Sequence, residues 1–213
     1  MPVELATSNI KRSDLGGGSW LDLAKGWLPG AADLYEQVAE RTPWRMGRLF
    51  RYEKWVDEPR LGAGAHQVPG EAGEILAEAR RSLMRLYGVT LSQGGMAYYR
   101  DGRDSMAFHR DRDLRYLDET IVAILTLGGP RPFALRPFRD GFARPESEGF
   151  VVDPGPGDLL VMGGRCQADW QHSVPRQHRQ GVPGRISVQW RWTSGTGKPV
   201  VGASYRAPRT YRS

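Results

Sequence analysis

At 213 residues the chain is sized for one domain around one main hydrophobic core. It contains no uninterrupted apolar run of the roughly 18–20 residues that span a bilayer, and MPVELATSNIKR lacks the basic, apolar, small-residue order of a signal peptide; a monomeric cytoplasmic protein with no membrane partner is expected. The lone Cys166 excludes an internal disulfide and any zinc site built on paired cysteines, while the +6 charge, carried by 26 arginines and 4 lysines, suits a phosphate-bearing partner such as nucleic acid.

In chain order, residues 1–28 read as a loosely organised lead-in, broken at Gly16-Gly17-Gly18 and followed by Trp20, Leu21, Leu23, Trp27 and Leu28. Gly30 to Thr42 places Ala32, Leu34, Tyr35, Val38 and Ala39 at helical spacing. Trp44 to Trp55 interleaves Arg45, Arg48, Arg51 and Lys54 with Trp44, Phe50, Tyr52 and Trp55. Glu71 to Tyr87 repeats the helical pattern with Ile75, Leu76, Ala79, Leu83, Met84 and Leu86, and Gly88 stops it.

From residue 93 the pattern changes to short apolar or alternating runs separated by Gly, Pro and Asp. These runs are Met96 to Arg100, Met106 to His109, Thr120 to Leu127, Phe133 to Phe138, Gly149 to Val152, Asp158 to Met162 and Arg185 to Thr193. About seven or eight strands of this length predict a mainly β fold, a jelly roll, preceded by helices. One domain over 1–213 is expected, with a helical extension over 1–92, the β core over 93–194 and a Gly-rich basic tail over 195–213 that reads as mobile.

The candidate chemistry starts from four histidines: His66, His109, His172 and His178. His109-Arg110-Asp111 sets an imidazole and a carboxylate two residues apart, so in a strand both project from one face and can share an ion. Chance alone supplies about a quarter of one such pair in this composition, so the pair by itself is weak. A third ligand must come from elsewhere in the chain. His172, which follows a strand ending at Met162 and a short loop, is the natural choice. His178, in a polar loop beyond Pro175, is its rival. Two imidazoles and one carboxylate on one octahedral face leave positions open for a bidentate 2-oxo acid and dioxygen, as in non-haem iron(II) oxygenases.

Arg185 to Trp192 alternates cleanly, with Arg185, Ser187, Gln189 and Arg191 on one face and Ile186, Val188, Trp190 and Trp192 on the other. At 3.3 Å per residue the two arginine Cα atoms lie about 20 Å apart, so they meet one small dicarboxylate only by leaning together. A guanidinium suits that task because it grips a carboxylate bidentately.

Taken together, Tyr99-Arg-Asp-Gly, His109-Arg-Asp111, Gly157-Asp-Leu-Leu-Val-Met-Gly-Gly, His172, and Arg185 with Arg191 six residues on form an ordered set. It resembles the AlkB family of iron- and 2-oxoglutarate-dependent nucleic-acid demethylases, which repair alkylated DNA or RNA, from about Gly94 to Thr193. The resemblance implies a double-stranded β-helix core that uses Fe(II), 2-oxoglutarate and O2. In it His109, Asp111 and His172 would bind iron, Tyr99 and Arg185 would hold the distal carboxylate of 2-oxoglutarate, and Arg191 would lie near its 1-carboxylate. Asp113 matches the position that reads the exocyclic amine of the damaged base. Trp44 to Trp55 occupies the place of the nucleotide-recognition lid, so Phe50, Arg51, Tyr52 and Trp55 are candidate substrate contacts, with core packing as the rival reading for each aromatic. Two positions depart from the pattern. Ala97 and Ser187 stand where the family often has asparagine, which thins the hydrogen bonds around the co-substrate, although Ser187 is kept among the co-substrate residues. The implied reaction demethylates bases of the 1-methyladenine and 3-methylcytosine type with release of formaldehyde, and it requires no separate catalytic side chain. Two alternatives are a 2-oxoglutarate-dependent enzyme acting on a small molecule or protein side chain, and a catalytically silent nucleic-acid-binding homologue.

Overall fold

A computed structural model describes residues 9–51, 53–111, 114–139, 141–200 and 208–212. Its elements are, in order, β1 (Ile10–Gly16), β2 (Ser19–Ala24), α1 (Ala31–Arg41), β3 (Arg45–Arg51), β4 (Lys54–Gly64), α2 (Gly70–Tyr87), β5 (Gly95–Tyr99), β6 (Met106–His109), β7 (Thr120–Gly128), β8 (Phe133–Arg139), β9 (Phe142–Ala143), β10 (Phe150–Val152), β11 (Leu159–Gly164), α3 (Cys166–Asp169), β12 (Trp170–Val174), β13 (Arg185–Thr193) and β14 (Arg209–Arg212). Nine strands form one sheet in the order β1-β2-β11-β7-β13-β5-β4-β3-β14. The second runs β10-β8-β12-β6, with β9 paired to β8. Neighbouring strands pair antiparallel, and the two sheets face each other as a double-stranded β-helix.

The centre of the large sheet is buried on both faces, which explains why β7 reads as an almost unbroken apolar run. Ala123, Leu125 and Leu127 of β7, with Ile186, Val188 and Trp190 of β13, pack against Leu34 and Val38 of α1 and Leu76, Ala79 and Leu83 of α2. Val122 and Ile124 point the other way, into the layer between the sheets, with Tyr99, Phe133, Leu135 and Met162. Helix α2 ends where predicted: Gly88 adopts φ +67°, and its N–H donates to the Met84 carbonyl at 3.0 Å. Trp190, 1 % exposed, fills the helix side of β13. Trp190→Ala is expected to destabilise the fold by about 3–5 kcal/mol, read from urea unfolding.

Three segments depart from the sequence reading. Residues 10–24 are not a loose lead-in; they form a β1–β2 hairpin turned through Gly16, Gly17 and Gly18, all at positive φ, and β2 joins the large sheet against β11. Edge strand β1 is mostly exposed and carries Lys11, Arg12 and Asp14, so it has little apolar pattern to reveal it. Arg45–Arg51 and Lys54–Gly64 pair as a β3–β4 hairpin, so the described part of residues 1–92 contributes four strands as well as two α-helices. Residues 209–212 of the tail are strand β14 on the outer edge of β3. Among the described residues no helix is long and apolar enough to cross a membrane.

Candidate metal centre and active-site cavity

Strands β6 and β12 pair in the small sheet with His109 directly opposite His172, and their ring centroids lie 4.2 Å apart. Sequence reading had put His172 after a loop; it lies in a strand, and its ring stacks on Phe133 at 5.4 Å. Asp111 follows just past the end of β6, and its backbone N–H donates to Gln167 Oε1 at 2.9 Å. One ligand atom from each of His109, Asp111 and His172 lies within 4.8 Å of the others, and this is the only such cluster of three among the described residues. It does not include His178.

The charge state of this cluster follows from its surroundings. Asp111 is buried, which alone would raise its carboxyl pKa. The Arg191 guanidinium, then the neighbouring imidazoles, outweigh burial and hold it below the usual carboxylate range. Arg191 Nη2 donates to Asp111 Oδ1 at 3.0 Å. The other oxygen, Oδ2, is buried with no hydrogen-bond partner among the described residues. Burial, reinforced by His109, pushes His172 down to about 3, and burial also lowers His109. His109 Nδ1 lies 2.9 Å from the Ala107 carbonyl, so that nitrogen carries the proton and Nε2 keeps its lone pair. At neutral pH the cluster is two neutral imidazoles and one carboxylate, the protonation state a divalent metal requires. An orphaned buried carboxylate oxygen beside two such imidazoles fits an ion.

The cluster lines a cavity of about 430 Å³. Tyr99, Ser187, Gln189 and Arg191 line it from β5 and β13. The polar face of β13 is therefore turned inward rather than to water. Ser187 is opposite Ala97 in the β5–β13 register, so the two departures from the AlkB pattern form one cross-strand pair. Arg185 is fully buried and opposite Tyr99. It donates to Thr126 Oγ1 at 3.3 Å and to the Arg131 carbonyl at 3.2 Å, and burial lowers its pKa to about 10, which still leaves it charged at neutral pH.

The β3–β4 hairpin and β14 bring Arg45, Glu58, Arg60 and Tyr211 to the cavity. Phe50 and Trp55 are not core residues: they are 39 % and 40 % exposed and meet edge to face at 5.6 Å. Trp44 does pack against the core, with Nε1 donating to the Ala39 carbonyl at 3.1 Å. Arg51 ends β3 opposite Lys54, whereas Tyr52 and Asp113 lie outside the described residues. Sequence reasoning missed Gln167, Glu58, Arg60 and Tyr211. Gln167 meets Asp111 across 56 positions of chain, and Tyr211 reaches the cavity only because β14 pairs with β3.

Two histidines and a carboxylate lining the interior of a double-stranded β-helix, with ligand positions to spare, define a mononuclear non-haem iron oxygenase. The family model described as the 2OG-Fe(II) oxygenase superfamily matches residues 31–209. The chain is 28 % identical over 178 residues to the alpha-ketoglutarate-dependent dioxygenase alkB homolog 3 of Bos taurus, covering 77 % of this chain and 62 % of that protein. It is 25 % identical over 170 residues to the DNA oxidative demethylase ALKBH2 of Mus musculus, covering 73 % and 71 %. The chain thus spans less than two thirds of the length of the alkB homolog 3 relatives. Its fold is similar to the solved structure of OsALKBH1, with TM-score 0.53, 15 % identity, and coverage of 86 % of this chain and 100 % of that one. It is also similar to a Trichoplax adhaerens prolyl hydroxylase in complex with a hypoxia inducible factor peptide, with TM-score 0.56, 13 % identity, and coverage of 80 % and 82 %. The chain belongs to the 2OG-Fe(II) oxygenase superfamily, and the curated relatives it is similar to are AlkB-type proteins.

Proposed function

We propose that this chain oxidatively demethylates alkylated bases, of the 1-methyladenine and 3-methylcytosine type, in DNA or RNA and releases formaldehyde. One observation carries the reading: the cavity that holds the His109–Asp111–His172 cluster is also walled by a basic hairpin with exposed aromatics at its far end. Cations can hold phosphates while aromatic faces stack on an unpaired base, and the cavity can receive the base itself. The name of one relative, the DNA oxidative demethylase ALKBH2 of Mus musculus, supports DNA as the substrate.

In this reading His109, Asp111 and His172 hold iron(II). Arg191, bonded to Asp111, serves the metal end of 2-oxoglutarate, Tyr99 and Arg185 serve its distal carboxylate, and Ser187 lines the wall between them. Phe50, Arg51, Tyr52 and Trp55 contact the nucleic acid, and Asp113 reads the base; Tyr52, Asp113 and the side chain of Arg51 enter on sequence grounds alone. Iron with 2-oxoglutarate and dioxygen supplies the oxidising power that hydroxylates an N-methyl group, after which the substrate loses formaldehyde. The chain's own groups orient the reactants and exclude water. Gln167 positions Asp111 through its backbone. Gln167→Ala is therefore expected to weaken metal affinity about 10–100-fold, measured by equilibrium dialysis against manganese(II).

The test is incubation with a methylated oligonucleotide, iron(II), 2-oxoglutarate and air, following formaldehyde and loss of the methyl group. Turnover of small molecules or peptides alone would overturn the substrate assignment. Oligonucleotide affinity should fall steeply with salt. Trp55→Ala should weaken it by about 1–3 kcal/mol, in a filter-binding assay, while 2-oxoglutarate affinity stays unchanged.

A further inference from the structure

Arg131, between β7 and β8, is fully buried. Its Nη1 donates to the Asp101 carbonyl at 2.8 Å, and its Nη2 to the Asp104 carbonyl at 2.9 Å and the Pro175 carbonyl at 3.1 Å. One planar side chain thus ties together the β5–β6, β7–β8 and β12–β13 loops. Its own carbonyl accepts the hydrogen bond from Arg185 Nη1 at 3.2 Å, and its guanidinium carbon lies 5.8 Å from the centre of the Tyr99 ring.

The two buried guanidiniums share an unusual deficit. Among the described residues, the acceptors that Arg131 and Arg185 reach are all neutral, carbonyls and one hydroxyl, and each Nε is buried with no hydrogen-bond partner. The two residues of the β5–β6 loop whose carbonyls Arg131 binds turn their carboxylates to other partners: Asp104 binds Arg100 with both oxygens, and Asp101 binds Arg103. Buried charges are ordinarily paired, and the cost of desolvating two neighbouring cations is relieved when an anion enters beside them.

We propose that Arg131 is a positioning residue for the co-substrate: it clamps three loops at the Tyr99 end of β5, aims Arg185, and adds a second buried positive charge to the seat of the distal carboxylate. The proposal rests on the assignment of Arg185 and Tyr99 to that carboxylate. A guanidinium is needed because an ammonium cannot reach three carbonyls in one plane.

The experiment compares binding of 2-oxoglutarate and of 2-oxobutyrate, which lacks the distal carboxylate, to anaerobic manganese-loaded protein by calorimetry. Arg131→Met should weaken 2-oxoglutarate at least tenfold and 2-oxobutyrate less than twofold, so the preference for the dicarboxylate collapses. Arg131→Lys retains charge and should also lose at least fivefold selectively, which keeps the test open if the methionine variant does not fold. Equal losses for both ligands, or none, would overturn the proposal and leave Arg131 as a structural clamp. Failure of the wild-type protein to prefer 2-oxoglutarate would instead overturn the assignment of Arg185 and Tyr99, a separable result.

Discussion

Asp111→Ala is expected to abolish turnover and to weaken iron(II) binding by at least about 100-fold, the upper end of what even an outer-shell change costs. The carboxylate is the only anion in the cluster, its Oδ2 has no hydrogen-bond partner among the described residues, and Arg191 already holds Oδ1. Its removal leaves a divalent ion facing two neutral imidazoles and a nearby guanidinium. His109→Ala and His172→Ala should act in the same direction, because each removes one of two imidazoles set opposite each other by the β6–β12 register. The measurement is anaerobic addition of iron(II) followed by 2-oxoglutarate. A visible metal-to-ligand charge-transfer band should appear in the wild-type protein and be missing from all three variants. A band of undiminished intensity in any of them would remove that residue from the site, and its absence from the wild type would sink the oxygenase reading.

The two candidate ligands closest in sequence were legible because a strand places alternate side chains on one face, and His109 with Asp111 obeys that rule even though β6 stops before the aspartate. His172 was legible only by its order in the chain. The strand that carries it, Trp170–Val174, is five residues long and follows a one-turn helix, leaving no sustained alternation to read. On β13 the pattern was clear but its environment was not. Alternation separates the two faces without saying what the polar one meets; Arg185 and Ser187 are almost completely buried, and Gln189 and Arg191 line the cavity. Only the second sheet reveals which way that face turns. Strands β1 and β14 were hidden because they are edge strands, stabilised by one neighbour and largely exposed, so neither needs a strong apolar pattern. The Ala97–Ser187 juxtaposition was also out of reach: the sequence gives two separate departures, and the register makes them one shared patch of small side chains beside the cavity.

That patch raises the demand on Arg185. With no asparagine on either strand at this point, the proposed recognition of a distal carboxylate would fall on Arg185 and Tyr99, which sit one step along the same two strands. Arg185→Met is expected to raise the dissociation constant for 2-oxoglutarate at least about 30-fold, because losing one partner of a buried, hydrogen-bonded charge pair costs about 2–5 kcal/mol and each 1.4 kcal/mol is about tenfold. Stability of the ligand-free protein should move the opposite way or not at all. Arg185 is fully buried, its pKa is depressed by desolvation, and its hydrogen bonds go to a hydroxyl and a carbonyl rather than to a carboxylate. Replacing such a cation with an apolar chain of similar length removes a desolvation penalty that offsets the two lost hydrogen bonds. Urea unfolding of the ligand-free variant should therefore lie within about 1 kcal/mol of wild type or above it, while calorimetry on the manganese-loaded protein shows the lost affinity. A variant that unfolds several kcal/mol more easily yet binds 2-oxoglutarate normally would show that Arg185 holds the loops and not the ligand.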